Sequence, residues 1–301
     1  AAEHFVRRAL EAGINFFDTA DFYSYGLSEE FLGRAIAKLT SRENVVISTK
    51  VGLPMSRAVN AGGLSRKHVL HAIDESLRRL GTDHVDVYML HEDDPTTPIE
   101  ETLAVMADIV RSGRARYVGF SNLPAWKAAK AVYHDRHQAR AGVRVAQLQY
   151  NLCYREEERD LLPLCATEGL GVMVYSPLAR GWLAGNRRPG AAGSAREALR
   201  ASSDAKAQQL YGTADDVAVL DAAAAIAGRR GIPVARLAMA WVLANPTVSS
   251  LISGVLEDQH LDEAVAALEV RLTDAELAEL AACYRPQWPK TTALNAVMAS
   301  K

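Results

Sequence analysis

Short apolar runs typical of buried strands alternate with helix-like segments along almost the whole sequence. Most of these runs are followed by apolar residues at helical spacing, which predicts repeated β-α units. Such units form parallel sheets, and about eight of them in roughly 250 residues predict a closed (β/α)8 TIM barrel. The predicted strands are residues 14–17, 45–49, 85–90, 117–120, 143–148, 171–175 and 249–253.

An open doubly wound sheet is the alternative fold for such a pattern. A dinucleotide-binding sheet of that kind carries the glycine fingerprint G-x-G-x-x-G after its first strand, whereas residues 18–21 here read Asp-Thr-Ala-Asp. We therefore predict a single barrel domain over residues 1–301. It would include a long loop at about 180–213, and C-terminal helices and a tail at about 257–301.

The composition argues against several classes of protein. A formal net charge of −2 gives no electrostatic basis for binding nucleic acid or an anionic membrane. No apolar run approaches the roughly 20 residues of a membrane-spanning helix, and no signal peptide opens the sequence. The three widely spaced cysteines, Cys153, Cys165 and Cys283, fit reduced thiols in a cytoplasmic protein better than a disulfide framework or a metal site.

A polar or small residue stands at the carboxyl end of nearly every predicted strand. In a barrel these ends form one mouth, where groups from several strands reach a common site. Taken singly, Asp18 and Lys50 could form a structural ion pair, and His91 could be a hydrogen-bonded rim residue. Taken together, they predict an active site. Its members are Asp18, Lys50, His91, Ser121, Asn122, Tyr175, Ser176 and Gly254, with Gln147 inside its strand and Tyr23 in the first loop.

Seven ordered motifs resemble those of the aldo-keto reductases over residues 2 to about 284. The resemblance is greatest to the bacterial branch related to aryl-alcohol dehydrogenases and potassium-channel β-subunits. It also implies a further strand ahead of the first helix, so that this sequence supplies seven of the eight barrel strands. The motifs are Phe-Phe-Asp-Thr-Ala-Asp-Phe-Tyr (16–23), Ser-Glu-Glu-Phe-Leu-Gly-Arg-Ala (28–35), Ser-Thr-Lys-Val-Gly (48–52), Tyr-Met-Leu-His (88–91), Gly-Phe-Ser-Asn (119–122), Gln-Leu-Gln-Tyr-Asn (147–151) and Tyr-Ser-Pro-Leu-Ala-Arg-Gly (175–181).

The resemblance implies a catalytic tetrad of Asp18, Tyr23, Lys50 and His91. Tyr23 would donate a proton to a carbonyl that accepts hydride from a nicotinamide, with no metal required. A positive charge on Lys50 would favour release of that proton, and Asp18 would hold the lysine charged and oriented. His91 would hydrogen-bond the carbonyl oxygen.

The resemblance also implies a site for NADPH, with NADH as the alternative cofactor. Ser121, Asn122 and Gln147 would hold the carboxamide, and Tyr175 would stack on the nicotinamide ring. The backbone around Ser176, Leu178 and Arg180 would meet the pyrophosphate. Residues 254–264 would hold the adenosine half; the members identified there are Gly254, Leu256, His260 and Glu263.

The adenosine end departs from the family pattern. Relatives often carry a hydroxyl residue at Leu256, a basic or amide residue at His260 and an asparagine at Ala264. Glu257 and Asp258 add negative charge where a 2′-phosphate is expected. Cations from the long loop could compensate for that charge. The candidates are Arg180, Arg188 and Arg200.

Three functions are compatible with these features. The first is an oxidoreductase that reduces a small aldehyde or ketone to an alcohol. The second is a regulatory protein that binds the same cofactor and acts through a protein partner. The third is a barrel isomerase without a redox cofactor, which predicts no nicotinamide binding. Neither the substrate nor the oligomeric state follows from the sequence.

Overall fold

The computed structural model describes residues 2–185, 199 and 202–287. The strands are β1 (Phe16–Asp18), β2 (Val46–Val51), β3 (Val85–Leu90), β4 (Ala115–Ser121), β5 (Val143–Gln149), β6 (Gly171–Tyr175) and β7 (Val248–Leu251). The helices are α1 (Ala2–Glu11), α2 (Leu27–Leu39), α3 (Arg66–Leu80), α4 (Ile99–Arg111), α5 (Ala125–His134), α6 (Leu161–Glu168), α7 (Ala205–Leu210), α8 (Ala214–Arg230), α9 (Val234–Leu243), α10 (Asp258–Ala266) and α11 (Asp274–Cys283).

The strand order along the sheet repeats the chain order from β1 to β7. The paired strands run parallel, as their register confirms for β1 to β5 and for β6 with β7. This order excludes the doubly wound alternative, in which the strand order reverses within the sheet. The fold is therefore of the predicted (β/α)8 class, and the described residues supply seven of its strands.

Contacts between residues divide the described chain into two compact units. Unit 1 contains residues 2–147 and 163–171, and unit 2 contains residues 148–162, 172–185, 199 and 202–287. The division falls within β5, and the single-domain organisation stays a prediction.

The predicted elements are present with small shifts at their ends. The segment from Glu156 to Glu168 is not one continuous helix: a 3-10 turn at Glu156–Glu158 precedes helix α6. An uninterrupted helix would place Pro163 in its interior, where the ring clashes with the carbonyl one turn earlier. Beginning α6 at Leu161 places the proline in the first turn, where no backbone donor is needed.

Two motif glycines lie where backbones approach closely. A Cβ atom at Gly33 in α2 would lie 2.2 Å from the carbonyl oxygen of Leu80. A Cβ atom at Gly119 in β4 would lie 2.6 Å from the carbonyl oxygen of Val145 in β5. Both neighbours are backbone atoms and cannot move aside independently, so these glycines are required by packing.

Parallel register in unit 1 places the polar residues at the carboxyl ends of neighbouring strands. Asp18 at the end of β1 aligns with Ser48 in β2. Lys50, two residues further along β2, faces the same side of the sheet as Ser48 and aligns with Met89. Among the described residues, we find no helix that is long and apolar enough to cross a membrane.

Candidate active site

Lys50 forms a buried ion pair with Asp18. The lysine side chain is 0% exposed, and its Nζ atom lies 2.5 Å from Oδ2 of Asp18. The same nitrogen donates to the backbone carbonyl of Thr19 at 2.8 Å. A charge this deeply buried is tolerated only when it is paired and hydrogen-bonded, and both conditions are met here.

The second oxygen of Asp18 receives two further hydrogen bonds. The Ser48 hydroxyl donates to Oδ1 at 2.5 Å, and the Gln147 amide nitrogen donates to it at 2.9 Å. The sequence interpretation gave Ser48 no role, although its spacing of two residues from Lys50 placed both side chains on one face. Because the Gln147 nitrogen is engaged, the amide oxygen is the atom of this side chain that is left to accept a hydrogen bond.

Tyr23 lies in the β1–α2 loop with its hydroxyl directed towards Lys50. The Lys50 Nζ atom is 3.5 Å from the Tyr23 hydroxyl and 4.9 Å from the centre of its ring. Tyr23 is 39% exposed, whereas Lys50 is fully covered. The loop is shaped by left-handed residues at Ser24 and Tyr25, with φ of 51° and 53°, followed by Gly26. The phenol can therefore meet a ligand that the ammonium group cannot reach.

His91 stands directly after β3, beside Tyr23. Their ring centres are 5.4 Å apart with an interplanar angle of 83°. The His91 backbone N–H donates to the Val51 carbonyl at 2.8 Å, and the Asn122 amide donates to the His91 carbonyl at 2.9 Å. Asn122 also donates to the Ser121 hydroxyl at 3.0 Å. The predicted tetrad is thus brought together in unit 1, with Ser121, Asn122 and Gln147 around it.

A second buried polar cluster, missed by the sequence interpretation, lies behind this loop. Glu29 is fully buried, accepts from the Thr49 hydroxyl at 2.5 Å and pairs with Arg79 at 2.6 Å. Asp21 is 1% exposed, and its Oδ1 accepts from the Phe22 backbone N–H at 2.6 Å. Within the described part of the chain, its Oδ2 has no hydrogen-bond partner. Burial and the nearby Glu29 carboxylate raise the pKa of Asp21 to about 7.

This shift predicts that stability falls as the pH rises from about 4 to about 7. Over that interval Asp21 is ionised in the unfolded chain but protonated in the folded protein, which binds more protons. A shift from 3.8 to about 7 corresponds to on the order of 4 kcal/mol. In the Asp21→Asn variant this side chain cannot ionise. We therefore expect the free energy of unfolding of the variant, relative to that of the parent protein, to be higher at pH 8 than at pH 5. Denaturant unfolding at both pH values measures this change.

Glu157→Gln is the matched control for this prediction. Burial also raises the pKa of Glu157 to about 7, so both carboxyl groups contribute to the pH dependence of the parent protein's stability. The control variant should retain the part of that pH dependence that comes from Asp21. A stability difference between Asp21→Asn and the parent that is equal at pH 5 and pH 8 would contradict the assignment to Asp21.

The turn after β6, in unit 2, carries three more of the predicted cofactor residues. Ser176, Ala179 and Arg180 all adopt left-handed conformations, with φ of 54°, 48° and 56°. The Leu178 carbonyl accepts from the backbone N–H of Gly181 at 2.9 Å. The Nε atom of Arg180 donates to both oxygens of Asp204, at 3.1 and 3.0 Å. Arg180 is therefore already paired with an acid, a contact that the sequence interpretation did not include.

The segment after β7 is tied to its own surroundings. The Leu256 backbone N–H donates to Nδ1 of His260 at 3.3 Å. Glu263 forms a two-pronged ion pair with Arg236 of α9, at 2.7 and 3.0 Å. Arg236 therefore brings a positive charge to this segment, a contact that the sequence interpretation did not include. A Cβ atom at Gly254 would meet no atom within 4 Å. Arg188 and Arg200 lie outside the described residues.

Comparison with known proteins identifies the family. The chain matches the sequence model of the Aldo/keto reductase family over residues 1–285, and it belongs to that family. It is 36% identical to a versiconal hemiacetal acetate reductase from Aspergillus parasiticus, over 94% of this chain and 86% of the relative. It is 33% identical to a putative aryl-alcohol dehydrogenase from Schizosaccharomyces pombe, over 93% of this chain and 84% of the relative. It is 36% identical to a probable voltage-gated potassium channel subunit beta from Oryza sativa subsp. japonica, over 89% of this chain and 82% of the relative.

These relatives confirm the branch indicated by the motifs, since they include aryl-alcohol dehydrogenases and channel subunits. Family membership supports an oxidoreductase that acts on small carbonyl compounds with a nicotinamide cofactor.

Proposed function

We propose that this protein reduces an aldehyde or ketone to an alcohol with hydride from NADPH, and that Tyr23 is the proton donor. The observation that carries this proposal is the arrangement around Lys50. A fully covered ammonium group lies between the Asp18 carboxylate and the exposed Tyr23 phenol. Such an arrangement suits transfer of one proton from a surface hydroxyl to a substrate oxygen.

Each residue of the tetrad has a distinct part in that transfer. The Lys50 charge stabilises the phenolate that remains when Tyr23 gives up its proton. Asp18 keeps Lys50 charged and in place, and its own position is set by Ser48 and Gln147. His91, whose ring meets Tyr23 edge to face, would orient the carbonyl oxygen towards the phenol.

The cofactor would be held by residues from two parts of the sequence. When bound, the nicotinamide supplies hydride to the carbonyl carbon. Ser121 and Asn122 offer polar groups to its carboxamide, together with the Gln147 amide oxygen. Ser176, Leu178 and Arg180 of the strained turn would meet the phosphates, and Tyr175 would stack on the ring. Residues 254–264, including Gly254, Leu256, His260 and Glu263, would hold the adenosine half.

The donor sets in the described structure suit this cofactor. Turns that contain left-handed residues occur at known anion-binding sites. The two terminal amino groups of Arg180 have no hydrogen-bond partner among the described residues, because Asp204 occupies only its Nε atom. Both features favour a phosphate at the turn.

The alternative function is regulatory cofactor binding with little turnover. It is favoured by the relatives named as potassium channel subunits. Turnover separates the two functions directly: purified protein is mixed with NADPH and a panel of reactive aliphatic and aromatic aldehydes and ketones. The proposal expects cofactor oxidation that requires both carbonyl compound and protein. Tight NADPH binding without turnover of any carbonyl compound would favour the regulatory function.

We expect the preference for NADPH over NADH to be modest. A 2′-phosphate brings about two negative charges, and the 254–264 segment contributes Glu257, Asp258 and a Glu263 already paired with Arg236.

Dissociation constants for both cofactors measure this preference. A large preference for NADPH would contradict this expectation and point to the loop arginines.

A further inference from the structure

Helix α7 and its two flanking residues, Asp204 and Tyr211, form a segment that we call the α7 clip. At its first end, Asp204 is nearly covered, with a side chain 7% exposed. Its carboxylate accepts from Nε of Arg180 and also caps α7 by accepting from the Ala207 backbone N–H at 3.0 Å. One carboxylate therefore fixes both the start of the helix and the arginine of the turn after β6.

At the second end of the clip, the buried Tyr211 hydroxyl joins two amide side chains. Gln149 donates to it at 2.7 Å and Asn151 donates to it at 3.2 Å. The same Asn151 amide group donates to the Ser176 carbonyl at 2.9 Å. The oxygen of Gln149 accepts from the Tyr175 hydroxyl at 3.5 Å. Tyr211 is thus linked to the side chain of Tyr175 through Gln149, and to the backbone of Ser176 through Asn151.

The turn between these two anchors, residues 176–181, needs external support. Three of its residues other than glycine are left-handed: Ser176, Ala179 and Arg180. Such conformations cost free energy and persist only where the surroundings hold them. Tyr211 supports the first residue of the turn through Asn151. Asp204 contacts the turn directly, near its last residue.

We propose that Asp204 and Tyr211 are positioning residues that hold the 176–181 turn in the shape that binds the cofactor phosphates. This inference rests on the proposed function, because it assigns the clip to the same cofactor site. Part of the long loop after β6 therefore supports the turn.

The geometry of the contact indicates that Asp204 orients Arg180 and does not compete with a phosphate for it. A carboxylate competing with phosphate would be expected to take the two-pronged position on the terminal amino groups. Asp204 instead takes the side-on position at Nε. It leaves the terminal amino groups of Arg180 to an incoming anion.

Tyr211→Phe tests the second anchor, with Tyr150→Phe as the matched control. Tyr150 is equally buried in unit 2, and its hydroxyl contacts Glu158 and Asn245, outside the clip. In Tyr211→Phe, amide hydrogen exchange should accelerate at Ala179, Gly181 and Leu183, whose N–H groups bond within the turn. The NADPH dissociation constant should rise about tenfold, with turnover at saturating cofactor within about twofold of the parent. The control should change neither exchange in the turn nor NADPH binding.

Asp204→Asn tests the first anchor without removing the helix cap, because asparagine caps helices as well as aspartate does. Loss of the carboxylate should release Arg180 and weaken NADPH binding about tenfold. Tighter binding would mean that Asp204 competes with the phosphate, and it would overturn the positioning role of that residue.

The exchange measurement needs no cofactor, so it separates two kinds of failure. If the parent protein does not bind NADPH, the proposed function fails, and the cofactor role of the clip fails with it. If the parent binds NADPH but both variants match it in binding and in exchange of the turn amides, the clip inference alone is overturned.

Discussion

Tyr23→Phe is expected to lower the rate of carbonyl reduction by at least a factor on the order of one hundred, the usual scale for loss of a general acid. The substitution removes only the hydroxyl that lies 3.5 Å from Lys50. The ring keeps its edge-to-face contact with His91, so the loop and the affinity for cofactor should change little. Steady-state turnover with a reactive aldehyde and a separate cofactor-binding titration measure the two quantities.

Tyr25→Phe is the matched control for this variant. Tyr25 lies two residues further along the same loop and is 67% exposed, so the control removes a hydroxyl without touching Lys50. Turnover in the control should stay close to that of the parent protein. Near-normal turnover in Tyr23→Phe would exclude this phenol as the proton donor.

Lys50→Met is expected to reduce both activity and stability. The substitution leaves Asp18, whose side chain is 8% exposed, as a buried carboxylate without its cation. Breaking a buried ion pair in this way costs about 3–5 kcal/mol. Turnover should fall because the phenolate of Tyr23 is no longer stabilised, and the dependence of turnover on pH should change. Denaturant unfolding and a pH profile of turnover measure these effects.

A second substitution separates the charge effect from the loss of packing. Adding Asp18→Asn to Lys50→Met removes the unpaired carboxylate and should restore part of the lost stability without restoring turnover. Lys127→Met provides a comparison within unit 1, because Lys127 forms another nearly buried pair with Asp93. That variant should lose stability, but its loss of turnover should be smaller than that of Lys50→Met. A wild-type pH profile in Lys50→Met would mean that another lysine serves the site.

The placement of the tetrad could be predicted because it depends on strand order and on the two-residue repeat of strands. Asp18, Lys50 and His91 each follow an apolar run, and parallel strands bring such positions to one edge. The register that aligns Asp18 with Ser48 then decides which side chains meet. These local patterns are visible in the sequence.

Contacts between distant polar residues could not be predicted in the same way. Gln147 was assigned to the carboxamide, yet its nitrogen donates to Asp18, 129 positions away. Arg180 pairs with Asp204, and Glu263 pairs with Arg236. Long charged side chains have several acids within reach on any parallel fold, and only the packed backbone selects one. The burial of Asp21 beside Glu29 also depends on how the packed backbone folds, which local sequence patterns do not show.

Transfer of deuterium from cofactor to product tests the central proposal most directly. NADPH that carries deuterium at both C4 positions of the nicotinamide is mixed with the protein and an aldehyde in a single turnover. We expect the product alcohol to carry deuterium on its carbinol carbon, and the rate of its formation to fall about a hundredfold in Tyr23→Phe. A product without deuterium, or an equal rate in Tyr23→Phe, would contradict a hydride transfer assisted by this tyrosine.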